Sequence, residues 1–254
     1  MFVKHEIDAL GIATVRFYHP QSNSLPSQLL QDLAKVITDL GNETAVKVIV
    51  LRSEGERSFC AGASFDELMA IQNETEGTRF FSGFAHVINA MRTCPKIIIG
   101  RVQGKAVGGG VGLASAVDYC LATKHAAIKL SELAVGIGPF VVSPAIERKI
   151  GVSAMSQLAI NATEWQTAEW AAQKGLYAQI HEGIPELDEA VMRLATKLAT
   201  QANPEALRLM KTVFWENTNH WNTLLLERAA MSGKLVLSDY TRQAIALFKA
   251  SAAH

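Results

Sequence analysis

Hydrophobic and polar positions divide the chain into an amino-terminal part, in which strand and helix patterns alternate, and a carboxy-terminal part with helix patterns alone. Leu10–Phe17 predicts a strand, and Val46–Leu51 is a short β-branched run typical of a buried strand. A further strand is predicted over Lys96–Val102. Two more are predicted at Tyr119–Thr123 and Ala127–Leu130.

Helical spacing fills the intervals between these strands and the rest of the chain. We expect Ser24 to cap a first helix that has Pro26 in its first turn and ends at Gly41. The other predicted helices are Phe65–Ala70, Arg79–Met91, Leu113–Val117, Ala145–Ile150, Ser153–Ile160, Thr167–Lys174 and Pro185–Gln201. After the break at Asn203-Pro204, the stretch Glu205–Ala250 is predicted to be almost wholly helical. This order predicts an α/β core over residues 1–200 and a helical segment over residues 201–254.

Composition and charge exclude several classes of function. Of the 254 residues, 49% are hydrophobic and 19% are charged, which is a globular composition. The 24 Lys+Arg balance the 24 Asp+Glu, so the chain gives no indication of a nucleic-acid-binding surface. Its most apolar stretch, Ile97–Val117, is interrupted by charged residues and glycines, and no membrane span is predicted.

Cysteines and histidines give no support for a metal site. Cys60, Cys94 and Cys120 are far apart and form no C-x-x-C pair, so neither a disulfide framework nor a zinc site is predicted. The 7 histidines lack the spacing of metal ligands. The amino terminus has no apolar region of the kind found in signal peptides. We therefore expect a protein of the reducing cytoplasm.

Two glycine-bearing turns, each between a strand and a helix, are candidates for ligand binding. The first is Phe59–Ala63 and the second is Gly108–Gly112. Glycine lets a backbone approach a ligand and turn its N–H groups toward it, and a following helix adds the positive end of its dipole. One N–H group from each turn would form an oxyanion hole for a thioester enolate. The alternative is that these glycines only permit tight packing of strands against helices.

A third candidate is Glu132, which lies in the hydrophobic stretch Leu130–Leu133 ahead of Gly136–Phe140. Apolar surroundings raise the pKa of a carboxyl group toward neutrality, which suits an acid/base catalyst. The alternative is an exposed glutamate at the end of a strand.

Together these stretches resemble the crotonase (enoyl-CoA hydratase/isomerase) superfamily over nearly the whole chain. The matching segments, in the family's order and spacing, are His19–Leu25, Phe59–Ala63, Val107–Ala114, Leu130–Glu132 and Asn203–Leu207 followed by Lys211. The resemblance implies a crotonase-like spiral of β-β-α turns. It also implies that the carboxy-terminal helices build a homotrimer or a homohexamer, the latter a dimer of trimers.

The resemblance further implies an acyl-CoA substrate. Coenzyme A would be part of that substrate, and no separate cofactor is expected. The N–H groups of Ala63 and Gly109 would hold the thioester oxygen, and Glu132 would be the catalytic acid and base. Substrate contacts are implied at Leu25, Ala61, Gly62, Phe65, Gly108, Gly112 and Phe140.

Two departures from the family's pattern concern the chemistry. Gly112 stands where hydratases carry the first of two glutamates, which leaves Glu132 as the single matching carboxylate. Phe140 stands where hydrolases, dienoyl-CoA isomerases and dehalogenases of the family place an acid. With Val141 and Val142, it is expected to form an apolar wall for the acyl tail.

Two further departures concern binding and local structure. His19 stands where many members carry an arginine, which leaves a phosphate contact there open. Ser64 replaces the usual aspartate after Ala63, and only a local change of helix capping is expected.

These residues favour proton transfer on an enoyl-CoA thioester. Isomerisation is preferred to hydration, because moving a double bond between Cβ=Cγ and Cα=Cβ needs only one carboxylate. The first alternative is an acyl-CoA thioester hydrolase, suggested by Gly110-Val111-Gly112 and disfavoured by Phe140. The second is a non-catalytic member that binds acyl-CoA.

Overall fold

A computed structural model describes residues 1–252, with side-chain surroundings through residue 247. The strands of this part are β1 (Phe2–Ile7), β2 (Ile12–Tyr18), β3 (Val48–Ser53), β4 (Ser58–Cys60), β5 (Ile97–Val102), β6 (Lys105–Val107), β7 (Tyr119–Thr123), β8 (Ile128–Lys129) and β9 (Gln179–His181). The helices are α1 (Ser27–Asn42), α2 (Phe65–Ala70), α3 (Glu74–Thr93), α4 (Gly109–Ala116), α5 (Ser143–Ile160), α6 (Ala168–Gln173), α7 (Ile184–Gln201), α8 (Pro204–Phe214), α9 (Trp221–Leu235) and α10 (Asp239–Ala252).

The strands form two sheets that the chain visits in turn. The larger sheet has the order β1-β2-β3-β5-β7-β9 and is parallel except for the β1-β2 pair, and the smaller has the order β4-β6-β8. From β3 to β8, each turn of the chain adds one strand to the larger sheet, one to the smaller sheet, and then one or more helices, and β9 completes the larger sheet. The predicted α/β spiral of β-β-α turns is therefore confirmed.

The larger sheet is covered on both faces, as the continuous β-branched runs predict. Along β3, Ile49 and Leu51 belong to the main core, which also contains residues of α1 and α3. Val48 and Val50 point to the opposite face and join a second core that includes Leu187 of α7.

The carboxy-terminal helices pack on the core of their own chain. Trp221 and Leu225 of α9 belong to the main core. A Cβ atom on Gly77 of α3 would lie 2.8 Å from the backbone of Gly233 in α9, so the two helices touch backbone to backbone. The domain boundary at residue 200 and the assembly into trimers or hexamers stay predictions. Within residues 1–252, none of the helices has both the length and the apolar character needed to cross a membrane.

Most differences from the predicted elements concern short strands and helix starts. β1, β4, β6 and β9 were not predicted. α3 begins earlier than expected because the Asn73 side chain accepts the Glu76 N–H and caps the helix. The expectation that Ser24 caps α1 was wrong. Pro26 precedes that helix without a side-chain cap, and Ser24 Oγ lies 3.0 Å from His19 Nδ1.

The last part of the second glycine turn is helical. α4 begins at Gly109 and not at Leu113, so Gly109 supplies the first N–H group of the helix. α5 includes both helices predicted there, and Gly151, at φ 75° and ψ 162°, marks the break between them.

Candidate active site

The first glycine turn presents the N–H group of Ala63. Gly62 has a φ of 90°, a backbone conformation that favours glycine. Its carbonyl oxygen accepts a hydrogen bond of 2.8 Å from the Leu25 N–H. Because C=O and N–H point in opposite directions across a trans peptide, the Ala63 N–H faces away from Leu25. In the described part of the chain it donates to no other backbone group.

The second turn presents the N–H group of Gly109. The Gly108 carbonyl oxygen accepts from the N–H groups of Val111 and Gly112, at 2.9 and 3.2 Å, and so points into α4. The Gly109 N–H therefore points out of the amino-terminal end of that helix, where the dipole favours negative charge. The two turns are adjacent, since a Cβ atom on Gly62 would lie 3.4 Å from the Gly109 nitrogen.

The glycines of the second turn also permit close packing. A Cβ atom on Gly109 would overlap the ring of Phe84 in α3, and one on Gly110 would overlap the Cys60 carbonyl oxygen. The two interpretations of these glycines are therefore compatible, because the glycines permit close packing and also leave N–H groups available to a ligand. Gly110 brings the second turn against Cys60 of the first turn, and Gly109 lets α4 approach Phe84 of α3.

Glu132 lies against the second turn. The residue is half-buried, but its Oε2 atom is shielded from solvent and has no hydrogen-bond partner among the described residues. A Cβ atom on Gly108 would lie 2.8 Å from Glu132 Oε1, so the carboxyl group rests on the residue that precedes the Gly109 donor. The Glu132 carbonyl oxygen accepts from Val135 and Ile137, at 3.2 and 2.9 Å, and these bonds fix the turn.

The environment of Glu132 changes its acidity. Burial raises the pKa of its carboxyl group from 4.5 to about 7, and a hydrogen bond from its own backbone N–H acts in the opposite direction. A group with this pKa is present as both acid and base near neutral pH, so it can accept a proton and return it. The alternative of an exposed glutamate at a strand end is not what the structure shows.

Another side chain fills the space beside Gly112, the position at which the resemblance implies the first glutamate of hydratases. A Cβ atom on Gly112 would lie 2.5 Å from Cγ1 and 2.8 Å from Cβ of Val142, the residue just before α5. Val142 is 4% exposed and Val141 is 5% exposed, and both belong to the main core. Of the three residues predicted to form an apolar wall for the acyl tail, Phe140 is therefore the one that is not buried in the core. Gly112 is buried against Val142, and its contact with substrate stays a prediction.

Three other residues predicted to contact substrate, Leu25, Ala61 and Phe65, differ in burial and in hydrogen bonding. Leu25 has no exposed surface, and its backbone N–H donates to the Gly62 carbonyl oxygen, so its contact with substrate stays a prediction. Ala61 is half-buried and donates its N–H to the Ser22 carbonyl oxygen at 3.1 Å. Phe65 is half-buried and packs against a small apolar cluster that includes Leu68.

Phe140 keeps part of its surface free. It is half-buried, and its ring lies over Gly138, where a Cβ atom would overlap it. Its carbonyl oxygen accepts from Ser143 Oγ at 3.0 Å and from Arg228 Nη1 at 3.4 Å. These bonds hold the Phe140 backbone in place.

The two remaining departures have local roles. Ser64 is the N-cap of α2, where its Oγ accepts the Glu67 N–H at 3.3 Å, so the expected capping change is confirmed. His19 Nδ1 lies 3.3 Å from the Gln21 N–H and 3.0 Å from Ser24 Oγ. That ring nitrogen is therefore occupied within its own turn.

A cavity of about 640 Å³ opens between α1, α2 and α3 beside these turns. Phe80, one helical turn before Phe84, and Gly83, directly before it, line this cavity, and the ring of Phe84 touches Gly109. The cavity does not include Glu132, so the site is identified by its chemistry and not by the cavity. No group of three or more metal-ligating side chains occurs among the described residues.

The arrangement defines a class of chemistry. Two adjacent N–H donors, one of them at a helix amino terminus, stabilise an oxyanion. A carboxyl group with a pKa near neutrality beside them can move a proton on the carbon next to that oxyanion. An arrangement of this kind is suited to proton transfer next to a carbonyl group.

Comparison with known proteins agrees with this class. The family model described as enoyl-CoA hydratase/isomerase matches residues 8–249. The chain is 25% identical over 238 residues to a probable enoyl-CoA hydratase of Bacillus subtilis, which covers 93% of this chain and 92% of that protein. It is 30% identical over 193 residues to the (7aS)-7a-methyl-1,5-dioxo-2,3,5,6,7,7a-hexahydro-1H-indene-carboxyl-CoA hydrolase of Mycobacterium tuberculosis, over 75% of each chain.

The fold is shared with solved structures. A crystal structure of an enoyl-CoA hydratase from Bacillus halodurans superimposes with a TM-score of 0.90 at 22% identity, and the match covers 97% of this chain and 100% of that one. This chain belongs to the enoyl-CoA hydratase/isomerase family.

Proposed function

We propose that this protein is an enoyl-CoA isomerase that uses Glu132 as its single acid and base. The observation that carries the proposal is the contact between Val142 and Gly112. The volume that a side chain at position 112 would enter is filled by a buried isopropyl group, so no second carboxylate can act from there.

The reaction needs one base, one oxyanion hole and no water. The thioester oxygen accepts hydrogen bonds from the N–H groups of Ala63 and Gly109. The Glu132 carboxylate removes a proton from Cα of a 3-enoyl-CoA, and the resulting dienolate is held by the two N–H donors. The same carboxyl group then gives the proton back at Cγ. The double bond has moved from Cβ=Cγ to Cα=Cβ, and no atom has been gained or lost.

Hydration places a greater demand on the site. It requires a base that activates water and an acid that delivers a proton at Cα. In this chain Glu132 would have to do both. Its Oε2 atom is shielded from solvent and has no hydrogen-bond partner among the described residues, and Val142 fills the space beside Gly112.

The acyl-CoA substrate would lie along the two turns. We place the acyl tail against the half-buried ring of Phe140 and the coenzyme A part near Ala61–Phe65. Coenzyme A enters as part of the substrate, so no separate cofactor takes part in the proposed reaction.

The first experiment distinguishes isomerase from hydratase. The protein is incubated in heavy water with 2-enoyl-CoA and 3-enoyl-CoA thioesters, and the products are measured by mass spectrometry. An isomerase gives a product with a moved double bond that differs from its substrate only by exchanged deuterium. A product heavier by one water would contradict the proposal.

A pair of variants tests the role of Val142. In Gly112→Glu the new side chain collides with Val142, so we expect loss of the native packing and no hydration. In Gly112→Glu combined with Val142→Gly the carboxylate has room, and we expect measurable hydration. Val142→Ala is the matched control, because it opens space without adding a carboxylate. Hydration by that control would show that Val142 alone excludes water and that no second carboxylate is needed.

Thioester hydrolysis is the second candidate, favoured by the resemblance to the Mycobacterium tuberculosis protein, which is named as a hydrolase. It would release free coenzyme A, whose thiol is measured with a disulfide reagent. Thiol release that depends on Glu132, without movement of the double bond, would replace the isomerase proposal. Binding of acyl-CoA with no turnover of any kind would make the protein a non-catalytic member.

A further inference from the structure

Asn23 lies in a segment, His19–Leu25, that is hydrogen-bonded to the first glycine turn. The residue is buried, with 4% of its surface exposed. Its backbone has a φ of 56°, in the left-handed region that asparagine adopts more readily than most residues. A tight turn accounts for this φ, but it does not account for the burial of the side-chain amide.

The amide group of Asn23 ties its segment to the loop between β3 and β4. Its Nδ2 atom donates to the Glu54 and Ser58 carbonyl oxygens, at 2.8 and 2.9 Å. Its Oδ1 atom accepts the His19 N–H at 3.0 Å. Glu54 follows β3 and Ser58 begins β4, so the amide is fixed at both ends of that loop. Each amide hydrogen has an acceptor, which offsets the cost of burying it.

The same segment holds the first glycine turn on either side of Asn23. The Ser22 carbonyl oxygen accepts the Ala61 N–H at 3.1 Å. The Leu25 N–H donates to the Gly62 carbonyl oxygen at 2.8 Å. Asn23 therefore lies between the two residues whose backbones bind the turn.

The bond from Leu25 acts on the peptide unit that carries the Ala63 N–H. The Gly62 carbonyl group and the Ala63 N–H belong to one planar unit, so a bond that fixes the first direction also fixes the second. Gly62, at a φ of 90°, has no side chain to restrict this unit, so its orientation depends on partners outside the turn. Leu25 can hold the unit in place only where its own segment is held.

We propose that Asn23 is a positioning residue for the oxyanion hole, and that its amide group keeps the Ala63 N–H directed at the thioester oxygen. In this role Asn23 does not touch substrate and acts through Leu25 and Gly62. The inference rests on the proposed function, because it needs a thioester whose oxygen is bound there. A donor must lie about 3 Å from the oxyanion to stabilise it, so a small displacement of this peptide weakens catalysis more than binding.

Asn23→Gly tests the side chain alone. Glycine adopts a φ of 56° without strain, so the turn is kept while the hydrogen bonds of the side chain are lost. We expect kcat with 3-enoyl-CoA to fall by about 10- to 100-fold. Binding of acyl-CoA, measured by calorimetry, should stay nearly unchanged.

The carbonyl stretch of a bound thioester reports the oxyanion hole directly. The probe is a saturated acyl-CoA with an isotopic label at the thioester carbon, which can neither isomerise nor add water. Strong hydrogen bonds to the oxygen lower the stretching frequency, so the wild type should give an infrared band below that of the probe in water. In Asn23→Gly the band should move part of the way back. A residue with only a structural role would lower stability and leave the band of the folded protein unchanged.

Two further variants accompany Asn23→Gly. Asn217→Gly is the matched control, because Asn217 also has a positive φ, of 62°, but is exposed and lies between α8 and α9. It should keep the wild-type kcat and band. Ser58→Ala, at a half-buried position, removes a second bond to the segment, from Ser58 Oγ to the Ser22 carbonyl oxygen at 3.1 Å. It should shift the band in the same direction as Asn23→Gly but by less.

The outcomes separate this inference from the proposed function. If no saturated acyl-CoA binds, or if the wild type does not lower the band, the proposed function fails and this inference fails with it. A lowered band in the wild type that is unchanged in Asn23→Gly would overturn this inference alone. If Asn23→Gly did not fold, an unchanged band in Ser58→Ala would overturn it. An equal loss in Asn217→Gly would show a general effect of the substitution and would also overturn it.

Discussion

Asp118 and Glu132 both place a carboxyl group in the interior, but their surroundings differ. Asp118 Oδ2 accepts from Ile98 N–H at 2.8 Å and from Lys211 Nζ at 2.6 Å, and its Oδ1 accepts from Trp215 Nε1 at 2.8 Å. Glu132 Oε2 is equally shielded from solvent but has no partner among the described residues.

The comparison shows how one fold assigns two roles to the same functional group. Three donors, one of them a cation, satisfy the Asp118 carboxyl group and tie α8 to the sheet. Glu132 has no cation to hold its charge, so burial raises its pKa to about 7. A buried carboxyl group that is fully paired stabilises the structure, and one that is left unpaired is available for proton transfer.

The largest expected effect is the loss of activity in Glu132→Gln. The amide keeps the size of the side chain but cannot accept the proton, so turnover should fall by about 10²–10⁴-fold or more. Steady-state kinetics with 3-enoyl-CoA substrates measures it. Binding of acyl-CoA, measured by calorimetry, should stay nearly unchanged.

Glu164→Gln, at an exposed position, is the control for Glu132→Gln and should keep wild-type activity. If Glu132→Gln also kept wild-type activity, Glu132 would not be the catalytic acid and base.

The second effect is a loss of stability in Asp118→Asn. The substitution leaves the ammonium group of Lys211, whose side chain is 3% exposed, without its counter-charge. The free energy of unfolding, measured with urea, should fall by about 3–5 kcal/mol, while activity per folded molecule stays the same.

Asp39→Asn is a control for Asp118→Asn, because Asp39 forms an ion pair with Lys35 at an exposed position of α1, where the pair contributes little. If Asp118→Asn lost activity but kept wild-type stability, Asp118 would contribute to catalysis. The two carboxyl groups would then not divide into a structural one and a catalytic one.

The third effect is a pH dependence that only Glu132 should cause. Since the pKa is 4.5 when the group is solvated and about 7 in the folded protein, the folded state retains a proton that the unfolded chain releases. The stability that Glu132 contributes is fully present below the lower value and is lost as the pH rises through the higher one. The loss should reach about 3 kcal/mol, at 1.36 kcal/mol per pKa unit.

Unfolding of the wild type and of Glu132→Gln at about pH 5 and about pH 8 measures this loss. The variant should gain stability relative to the wild type at the higher pH. Catalysis should change in the opposite direction, since the carboxylate is the active form and kcat/KM should rise through about pH 7. Parallel pH profiles for the two proteins would mean that Glu132 is not the titrating group.

The sequence predicts the parts of this site that depend on local signals. Glycine at a junction of strand and helix marks both turns as candidates, and an apolar neighbourhood marks Glu132, but the resemblance to the family is what singles out Ala63, Gly109 and Glu132. Alternating strand and helix patterns predict the α/β core, and the resemblance to the family implies its spiral of β-β-α turns.

The rest depends on contacts between distant segments. Val142 above Gly112 and Phe84 against Gly109 join separate elements, and no local pattern indicates either contact. The Asn23 amide reaches the Glu54 and Ser58 carbonyl oxygens across 31 and 35 positions of sequence. Asp118 meets Lys211 across 93 positions of sequence.

The smallest expected effect is that of removing both charges of the buried pair together. In Asp118→Asn with Lys211→Met, no ammonium group is left unpaired, and the methionine side chain replaces the lysine stem at similar volume. The amide oxygen introduced at position 118 can still accept from either the Ile98 N–H or Trp215 Nε1. We therefore expect a loss of about 1–2 kcal/mol, less than in Asp118→Asn alone. Urea unfolding of both single variants and the double variant gives the coupling free energy. Additive losses would mean that Asp118 and Lys211 do not stabilise the fold as a pair. Asp118 would then differ from Glu132 only in its two neutral donors, the Ile98 N–H and Trp215 Nε1.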